Sequence, residues 1–368
     1  MHDKSDYLKI LMFIPSMSGG GAERVFATLA NEFASMNIDV VLVVLNKNGP
    51  NMALLSDDVR VVELGVTRIR ESFIPLVRLL KKEMPSILIS ALNFPNIIAL
   101  AAAKLARRNI KTIMTVHYNP ATYGDYAQLF EKLSTLVMPM FYNSSDRVVA
   151  ISESVVKGLV KQGVRTNKIV RIFNPIKLPP TDISKSFDKC NYGFDNSSLP
   201  LLIAIGRLQE VKNYELILNA MSILKGKYPC NLIILGEGPD EKILQRKILN
   251  DGLSHCVKLL GYQDNTYDYL MSANLLLLAS NSEGFSNVVV EAMAVGLNVV
   301  SADCGGPNEI LANGEYGFLF PVGDIDSFVS CIENALVHPL QKRVLQKRAK
   351  TFDSKSIANE YIKLINSV

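Results

Sequence analysis

Residues 274–296 read NLLLLASNSEGFSNVVVEAMAVG. An uncharged run, 274–279, leads into a polar loop holding Glu283 and Gly284. A second apolar-rich segment follows, carries Glu291 and stops at Gly296. That order predicts strand, loop and helix, with the glycine as the helix stop. The loop abuts a helix N-terminus, where free backbone N–H groups and the helix dipole favour an anion. Helical side chains lean toward the N-terminus, so Glu291 is expected to point back at the pocket that Glu283 borders. Two carboxylates beside a phosphate site suit sugar hydroxyls on either side of a diphosphate. Glutamates at this spacing are common on any surface, so the pair gains meaning only from its flanks. Glu283 is also open to a plainer reading, as a cap for the following helix.

The same alternation runs outward through the chain. Apolar runs at 8–15, 39–45, 87–92, 112–116, 147–151 and 169–172 read as strands, with helical spacing between most of them, as at Val25, Phe26, Leu29, Ala30 and Phe33. The pattern lapses between 173 and 200, where Pro175, Pro179, Pro180 and Pro200 flank a polar stretch that reads as linker and surface insertion. It resumes with strands at 201–205, 231–235, 257–259, 275–279 and 299–301, and ends on helical spacing at Ile357, Tyr361 and Ile365. Strand–helix alternation implies parallel sheets covered by helices on both faces, with ligands beyond the carboxyl ends of the strands. The fold class expected is therefore α/β, with two Rossmann-like domains facing each other across a cleft. The boundaries are 1–175 for the first, 176–199 for the linker and 200–349 for the second, with 350–368 a final helix.

A chain of 368 residues, nearly half of them apolar, is long enough for two such cores. The net charge of +4 is uneven: residues 1–175 hold 21 Lys and Arg against 14 Asp and Glu. A basic first half suits a phosphate-bearing acceptor or an anionic membrane surface, and equally a solvated face with spare lysines. Cys190, Cys230, Cys256, Cys304 and Cys331 show no metal-ligand spacing, which fits reduced thiols in a cytoplasmic protein. The polar start, residues 1–6, is unlike a signal peptide. Residues 84–103 carry no charge over the length of a membrane span, but Asn93, Pro95 and Asn96 divide them, which predicts a buried strand and then a buried helix from Ile97.

Other motifs lie where strands end. Gly206-Arg207-Leu208 follows one strand and Lys212 comes five residues after Arg207, so a planar guanidinium and a compact ammonium can together steady a leaving diphosphate. A solvated loop with ion pairs is the plainer account of both. Gly236 and Glu237 follow the next strand. Gly19, Gly20 and Gly21 follow the first strand and open a helix, which lets N–H groups approach a phosphate; their spacing is not that of a dinucleotide site. Glu23 and Arg24 beside them read equally as phosphate contact or helix-face salt bridge. His117 ends the strand 112–116 at the carboxyl edge. His2, His255 and His338 have no such context.

These motifs carry a resemblance. Glu283-Gly284-Phe285, Glu291-Ala292-Met293-Ala294 and Gly305-Gly306-Pro307-Asn308-Glu309 are similar to the donor site of glycosyltransferase family 4. The likeness extends through the Gly19–Arg24 loop, Arg207, Lys212-Asn213 and Leu235-Gly236-Glu237-Gly238-Pro239, and so covers nearly the whole chain. Ser286 and Asn298 depart from it, each standing where proline is frequent, a difference expected to alter loop stiffness only. The resemblance implies the GT-B fold and a retaining transferase taking a nucleoside diphosphate sugar, most simply a UDP-sugar. It implies ribose contacts for Glu291, hexose contacts for Glu283, and His117 near the donor sugar. It also implies that backbone N–H groups of Phe285, Ser286, Asn287 and Val288 line the sugar and phosphate pocket. Glu283, His117, Arg207 and Lys212 are the candidate catalytic groups, with Gly19, Gly20, Gly21, Gly236, Glu237, Gly284 and Glu291 completing the donor site.

Enzymes of this fold use basic side chains and a helix dipole in place of a metal, so neither metal nor cofactor is expected. The Gly-Gly-Ala-Glu-Arg opening at 20–24 resembles the bacterial branch that builds lipid-linked oligosaccharides and surface polysaccharides, including N-acetylgalactosamine transferases. A lipid-linked glycan acceptor is implied, with peripheral attachment to the cytoplasmic face of the inner membrane and no nucleic-acid partner. Arg68, Arg70, Arg78, Lys81 and Lys82, set among apolar residues, suit an anionic membrane or simply the outer face of a packed helix that Pro75 interrupts. The aromatics Tyr123, Tyr126, Phe130 and Phe141 serve core or acceptor groove. An epimerase of the same fold and a non-catalytic binding subunit are the competing functions.

Overall fold

The computed structural model describes residues 8–106, 109–123, 129–179, 192–194, 196 and 198–368, apart from the side chains of 122–135. The polar start with His2, Cys190, Tyr126, the side chains of Tyr123 and Phe130, and most of the polar stretch after Pro180 lie outside the described residues. The chain divides into two compact units, one of Met1–Lys177 with Phe352–Val368 and one of Leu178–Thr351.

The first unit is built on strands β1 (Lys9–Phe13), β2 (Asp39–Val44), β3 (Arg60–Glu63), β4 (Ile87–Ala91), β5 (Lys111–Val116), β6 (Arg147–Ala150) and β7 (Ile169–Arg171). They pair in parallel in the order β3-β2-β1-β4-β5-β6-β7. Helices α1 (Gly21–Ser35), α2 (Phe73–Glu83), α3 (Asn93–Ala106), α4 (Pro120–Tyr123), α5 (Leu129–Tyr142) and α6 (Glu153–Lys161) connect them. Alternate residues of a strand face opposite sides, and both sides are apolar here. Ile10, Met12, Val40 and Leu42 meet the Val25, Phe26 and Leu29 face of α1, while Leu11, Phe13, Val41 and Val43 meet Leu76 and Leu80 of α2 and Ala99 and Ala102 of α3.

The second unit holds β8 (Leu201–Ile205), β9 (Asn231–Leu235), β10 (Val257–Leu259), β11 (Leu275–Leu278), β12 (Asn298–Ala302) and β13 (Phe318–Phe320), again parallel, in the order β10-β9-β8-β11-β12-β13. Its helices are α7 (Tyr214–Lys227), α8 (Glu241–Asn250), α9 (Tyr267–Ser272), α10 (Asn287–Val295), α11 (Gly306–Ile310), α12 (Ile325–Val337) and α13 (Lys342–Ala349). The chain then returns to the first unit. Ile176 N–H donates to Phe352 O (2.9 Å) and Ser354 N–H to Ile176 O (3.0 Å). Helix α14 (Ser354–Ile365) follows, capped by Asp353, and buries Ile357, Tyr361 and Ile365 beside α1, with the Tyr361 and Phe33 rings edge to face.

In both sheets the chain leaves the first strand in one direction and later returns to its other side. The reversal falls between β1 and β4 in one unit and between β8 and β11 in the other. Crevices at such switch points are where open parallel sheets bind ligands.

Several expectations change in detail. Helix α3 begins at Asn93 rather than Ile97, because Pro95 falls in the first turn, where a missing N–H leaves no bond unmade. Asn96 is buried and its Nδ2 donates to Thr115 O (3.1 Å) and to the Tyr142 phenol oxygen Oη (2.9 Å). Pro75 is likewise in the first turn of α2, which runs uninterrupted to Glu83. No described helix is long and apolar enough to cross a membrane. Strands β3 and β13 are absent from the sequence reading; each is a short, partly exposed edge, β3 closed by charged residues at both ends and β13 only three residues long.

Candidate functional site

Four loops meet at the carboxyl edge of the second sheet, and backbone contacts lock them together. After β8, Leu208 N–H donates to Glu237 O (2.9 Å) and Asp240 N–H to Leu208 O (3.1 Å), which ties the loop holding Arg207 to the one holding Gly236 and Glu237. Gly236 has φ 136°, and a Cβ there would lie 2.0 Å from Gly206 O, so only glycine permits this approach. After β11, Asn281 N–H donates to Val211 O (2.8 Å), joining the third loop to the first. After β12, Glu283 N–H donates to Cys304 O (3.1 Å) and Gly306 N–H to Glu283 O (3.2 Å). A Cβ at Gly306 would lie 2.3 Å from Phe285 Cα.

This frame sets the side chains. Lys212 ends a single 3-10 turn, and Asn213 caps α7 by accepting from Leu216 N–H. The Lys212 ammonium pairs with Glu283 Oε1, and the two side chains are only 21% and 11% exposed. Ser280, fully buried, donates from Oγ to the same Oε1 (2.8 Å). Glu283 therefore does not cap α10, whose N-cap residue, Ser286, makes no side-chain capping bond either. Arg207 is exposed and makes no hydrogen bond or ion pair among the described residues. Cations of both kinds thus flank the switch point, one held and one free. Two neighbours feel the Glu283 charge: the Cys304 thiol and the Tyr214 phenol are both pushed well above their ordinary pKa, first by burial and then by this carboxylate. Tyr214 also donates to Gly206 O (2.9 Å), bracing the turn that presents Arg207.

Glu291 lies on α10 between the buried residues Val290 and Ala292 and is itself 4% exposed. Thr266, before α9, donates to its Oε2 at 3.4 Å. The two glutamates therefore rest against different loops: Glu283 against those after β8 and β12, Glu291 against the segment between β10 and α9. The expected common pocket has two separately held ends. Gly284 and Phe285 are buried, and Ser286, Asn287 and Val288 lead into α10. Ser286 has φ 89°, a value closed to proline, whose ring fixes φ near −65°. Proline at 286 would therefore require another backbone path here, a change larger than the loop stiffness expected.

The remaining candidates belong to the first unit. Gly19, Gly20 and Gly21 are exposed between β1 and α1. Glu23, in the first turn, accepts from Ser16 Oγ (3.4 Å) and folds back against Gly20, so an internal carboxylate already faces this helix N-terminus. His117 follows β5, with its ring edge to face with Phe26. Thr115 Oγ1 donates to Ser90 O (3.0 Å) and lies 2.9 Å from His117 Nε2. With its proton committed to Ser90, that hydroxyl accepts from Nε2–H. Nδ1 is then a bare acceptor, buried and without a hydrogen-bond partner. Burial lowers the imidazole pKa to about 4.

Ser280, Thr266, Tyr214 and Thr115 were not singled out by sequence. Thr266 and Thr115 reach partners 25 positions away, in Glu291 and Ser90, while Ser280 and Tyr214 bond nearer residues in a way that only the folded loops reveal. Among the described residues, Cys230, Cys304 and Cys331 are free thiols.

Two family models match the chain, Glycosyltransferase Family 4 over residues 19–178 and Glycosyl transferases group 1 over residues 194–352. The chain belongs to the group 1 glycosyltransferases. Among the relatives of this glycosyltransferase is the Campylobacter jejuni N-acetylgalactosamine-N,N'-diacetylbacillosaminyl-diphospho-undecaprenol 4-alpha-N-acetylgalactosaminyltransferase, 27% identical over 97% of this chain and 99% of the relative. An uncharacterized glycosyltransferase of Haemophilus influenzae is 25% identical over 90% of this chain and 91% of its own length. Among solved structures, Anabaena Alr3699/HepE in complex with UDP-glucose superimposes with a TM-score of 0.82 at 20% identity, over 98% of this chain and 100% of that one. That likeness shows the fold of the glycosyltransferase, GT-B.

Proposed function

We propose that this glycosyltransferase moves a hexosyl or N-acetylhexosaminyl group from a nucleoside diphosphate sugar of the UDP type to a hydroxyl of a growing bacterial glycan, with retention of configuration. The observation that carries this reading is the placement of Arg207, Lys212 and Glu283 around the β8–β11 switch point, two cations and a carboxylate on a rigid frame. The cations stabilise the charge that grows on the departing diphosphate, and Glu283 and Glu291 hold sugar and ribose hydroxyls. In the transfer step the bond from the sugar's anomeric carbon to phosphate oxygen breaks, and a bond to the acceptor oxygen forms on the same face. The acceptor's proton passes to the departing phosphate oxygen, so no enzyme carboxylate need attack. Neither metal nor cofactor takes part in this scheme.

The acceptor is proposed to be lipid-linked, as the name of the Campylobacter relative states for that enzyme. Peripheral attachment at the cytoplasmic face of the inner membrane accompanies it. Exposed Arg78, Lys81 and Lys82 on α2, beside the exposed apolar side chains of Ile74 and Met84, support contact with anionic lipid.

The test is incubation of the protein with radiolabelled UDP-hexoses and UDP-N-acetylhexosamines, with and without a lipid-linked saccharide and with EDTA present. Transfer of label to the lipid, undiminished by EDTA, is expected. Epimerised nucleotide sugar formed without acceptor would point to an epimerase, and donor binding without turnover to a binding subunit. Loss of transfer in EDTA would overturn the metal-free scheme alone.

A further inference from the structure

In the free protein the donor site is already occupied by its own counter-ion. Lys212 Nζ and Ser280 Oγ both donate to Glu283 Oε1, and the Glu283 backbone is pinned at N–H and C=O by Cys304 and Gly306. The backbone bonds fix where the Glu283 side chain starts and Ser280 Oγ holds its carboxylate, whereas the lysine stem is flexible and its ammonium has three donors. Arg207 has no partner among the described residues and awaits an anion.

We infer that Glu283 has a second role besides holding the sugar: it competes with the diphosphate for Lys212 and so loosens the site's grip on the nucleoside diphosphate left after transfer. The inference rests on the donor-site reading above. While the sugar is attached, its hydroxyls give Glu283 a partner, and Lys212 can turn to the phosphates. Once the sugar has left, the carboxylate lacks that partner. It then draws Lys212 back and sets a fixed negative charge beside the product's phosphates. In a site this poorly exposed, such like-charge contact is weakly screened. The same side chain thereby favours the intact donor over the spent one, which is what a transferase limited by product release requires.

The experiment compares UDP binding by calorimetry in wild type, Glu283→Gln, Arg207→Ala, Lys212→Ala and the Lys212→Ala/Glu283→Gln double variant. Glu283→Gln keeps the shape and removes the charge. It is expected to bind UDP about tenfold more tightly than wild type while transferring sugar more slowly. In the Lys212→Ala background the same change is expected to tighten UDP much less, because the competition has lost its object. Circular dichroism and melting curves check that each variant is folded, and Ser280→Ala gives a second route: freeing Glu283 from Oγ should shift UDP affinity in the same direction by less. Weaker or unchanged UDP binding in a folded Glu283→Gln protein overturns the inference, as does equal tightening with and without Lys212. Should Arg207→Ala leave UDP binding untouched, the donor-site reading itself fails; if that variant weakens binding and Glu283→Gln does not tighten it, only the second role is lost.

Discussion

The loops that follow the first strands of the two sheets make an instructive pair. After β1 the chain offers three exposed glycines, backbone amides and no cation between Ser16 and Gly21. After β8 it offers Arg207 and Lys212 on a loop braced by two neighbours. The first loop has its own anchor, since Asn51 N–H donates to Met17 O (3.0 Å) and Asn51 Nδ2 to Gly20 O (3.3 Å). Each also has an internal carboxylate nearby. Glu23 merely folds back over a helix start, whereas Glu283 is buried in an ion pair. The same topology thus serves two ends. One unit concentrates fixed charge at the ends of its strands; the other places uncharged groups there, the amides and an imidazole kept neutral by burial.

The sharpest way to break this contrast is to remove the charge. Arg207→Ala and Lys212→Ala are each expected to lower kcat by about 10²–10³-fold, the usual loss when a donor to developing charge is deleted. Because Arg207 is exposed and makes no bond among the described residues, its loss should leave the melting temperature unchanged, which separates catalysis from folding. Wild-type turnover in either variant would place the charge stabilisation elsewhere.

The frame beneath the cations gives the next largest effect. Gly236→Ala would press a methyl against Gly206 O, backbone against which nothing can rotate away, at a φ that L residues rarely adopt. A loss of about 2–4 kcal/mol is expected, read from denaturant unfolding, with weakened donor binding. Gly65→Ala in the first unit also has positive φ, at 67°, but a Cβ there meets nothing within 4 Å, so only the smaller backbone strain of about 1 kcal/mol remains. Equal losses at the two positions would mean that the interlocked loops are not the stiff element of the second unit.

How far the sequence discloses this arrangement depends on how local each feature is. Strands buried on both faces, such as β1, β4, β8 and β11, declare themselves as unbroken apolar runs. The edge strands β3 and β13 escape notice, β3 for its charged ends and β13 for its three-residue length, and Pro95 looks like a break until its place in a first turn is known. Glu283, Lys212 and Arg207 stand out in the sequence as candidates through their flanking motifs and their places after strands. The ion pair joining two of them does not show there, since it links loops 71 positions apart. Nor does the direction of the Glu291 carboxylate, which depends on Thr266 across the fold. The positive backbone angle at Ser286 sits where Phe285 and Gly306 of two loops come together, a contact that one sequence does not display. The His117 tautomer likewise requires knowing that Thr115 gives its proton to Ser90.

That histidine gives the smallest and most selective test. Its pKa is lowered from the usual value near 6.5 to about 4 because burial disfavours the charged ring. The sign follows directly. Between pH 6.5 and 4 the unfolded chain takes up a proton that the folded chain refuses, so this group's contribution makes the fold less stable as pH falls through that window. Below about 4 both states are protonated and the loss levels off. Full burial would make the loss about 3 kcal/mol; His117 keeps some surface, so roughly 1–2 kcal/mol is expected. His117→Asn, which keeps a polar side chain and cannot titrate, should lose less stability than wild type between pH 6.5 and 4 in denaturant titrations. Transfer activity assayed from pH 8 to 5.5 should show no inflection near 6.5 that the substitution removes, because the ring is neutral throughout that range. An inflection near 6.5 that disappears in the variant would mean that the imidazole is solvated and charged in the working enzyme. The first unit would then carry a cation at the end of β5 after all, and the contrast between the two sheets would fall.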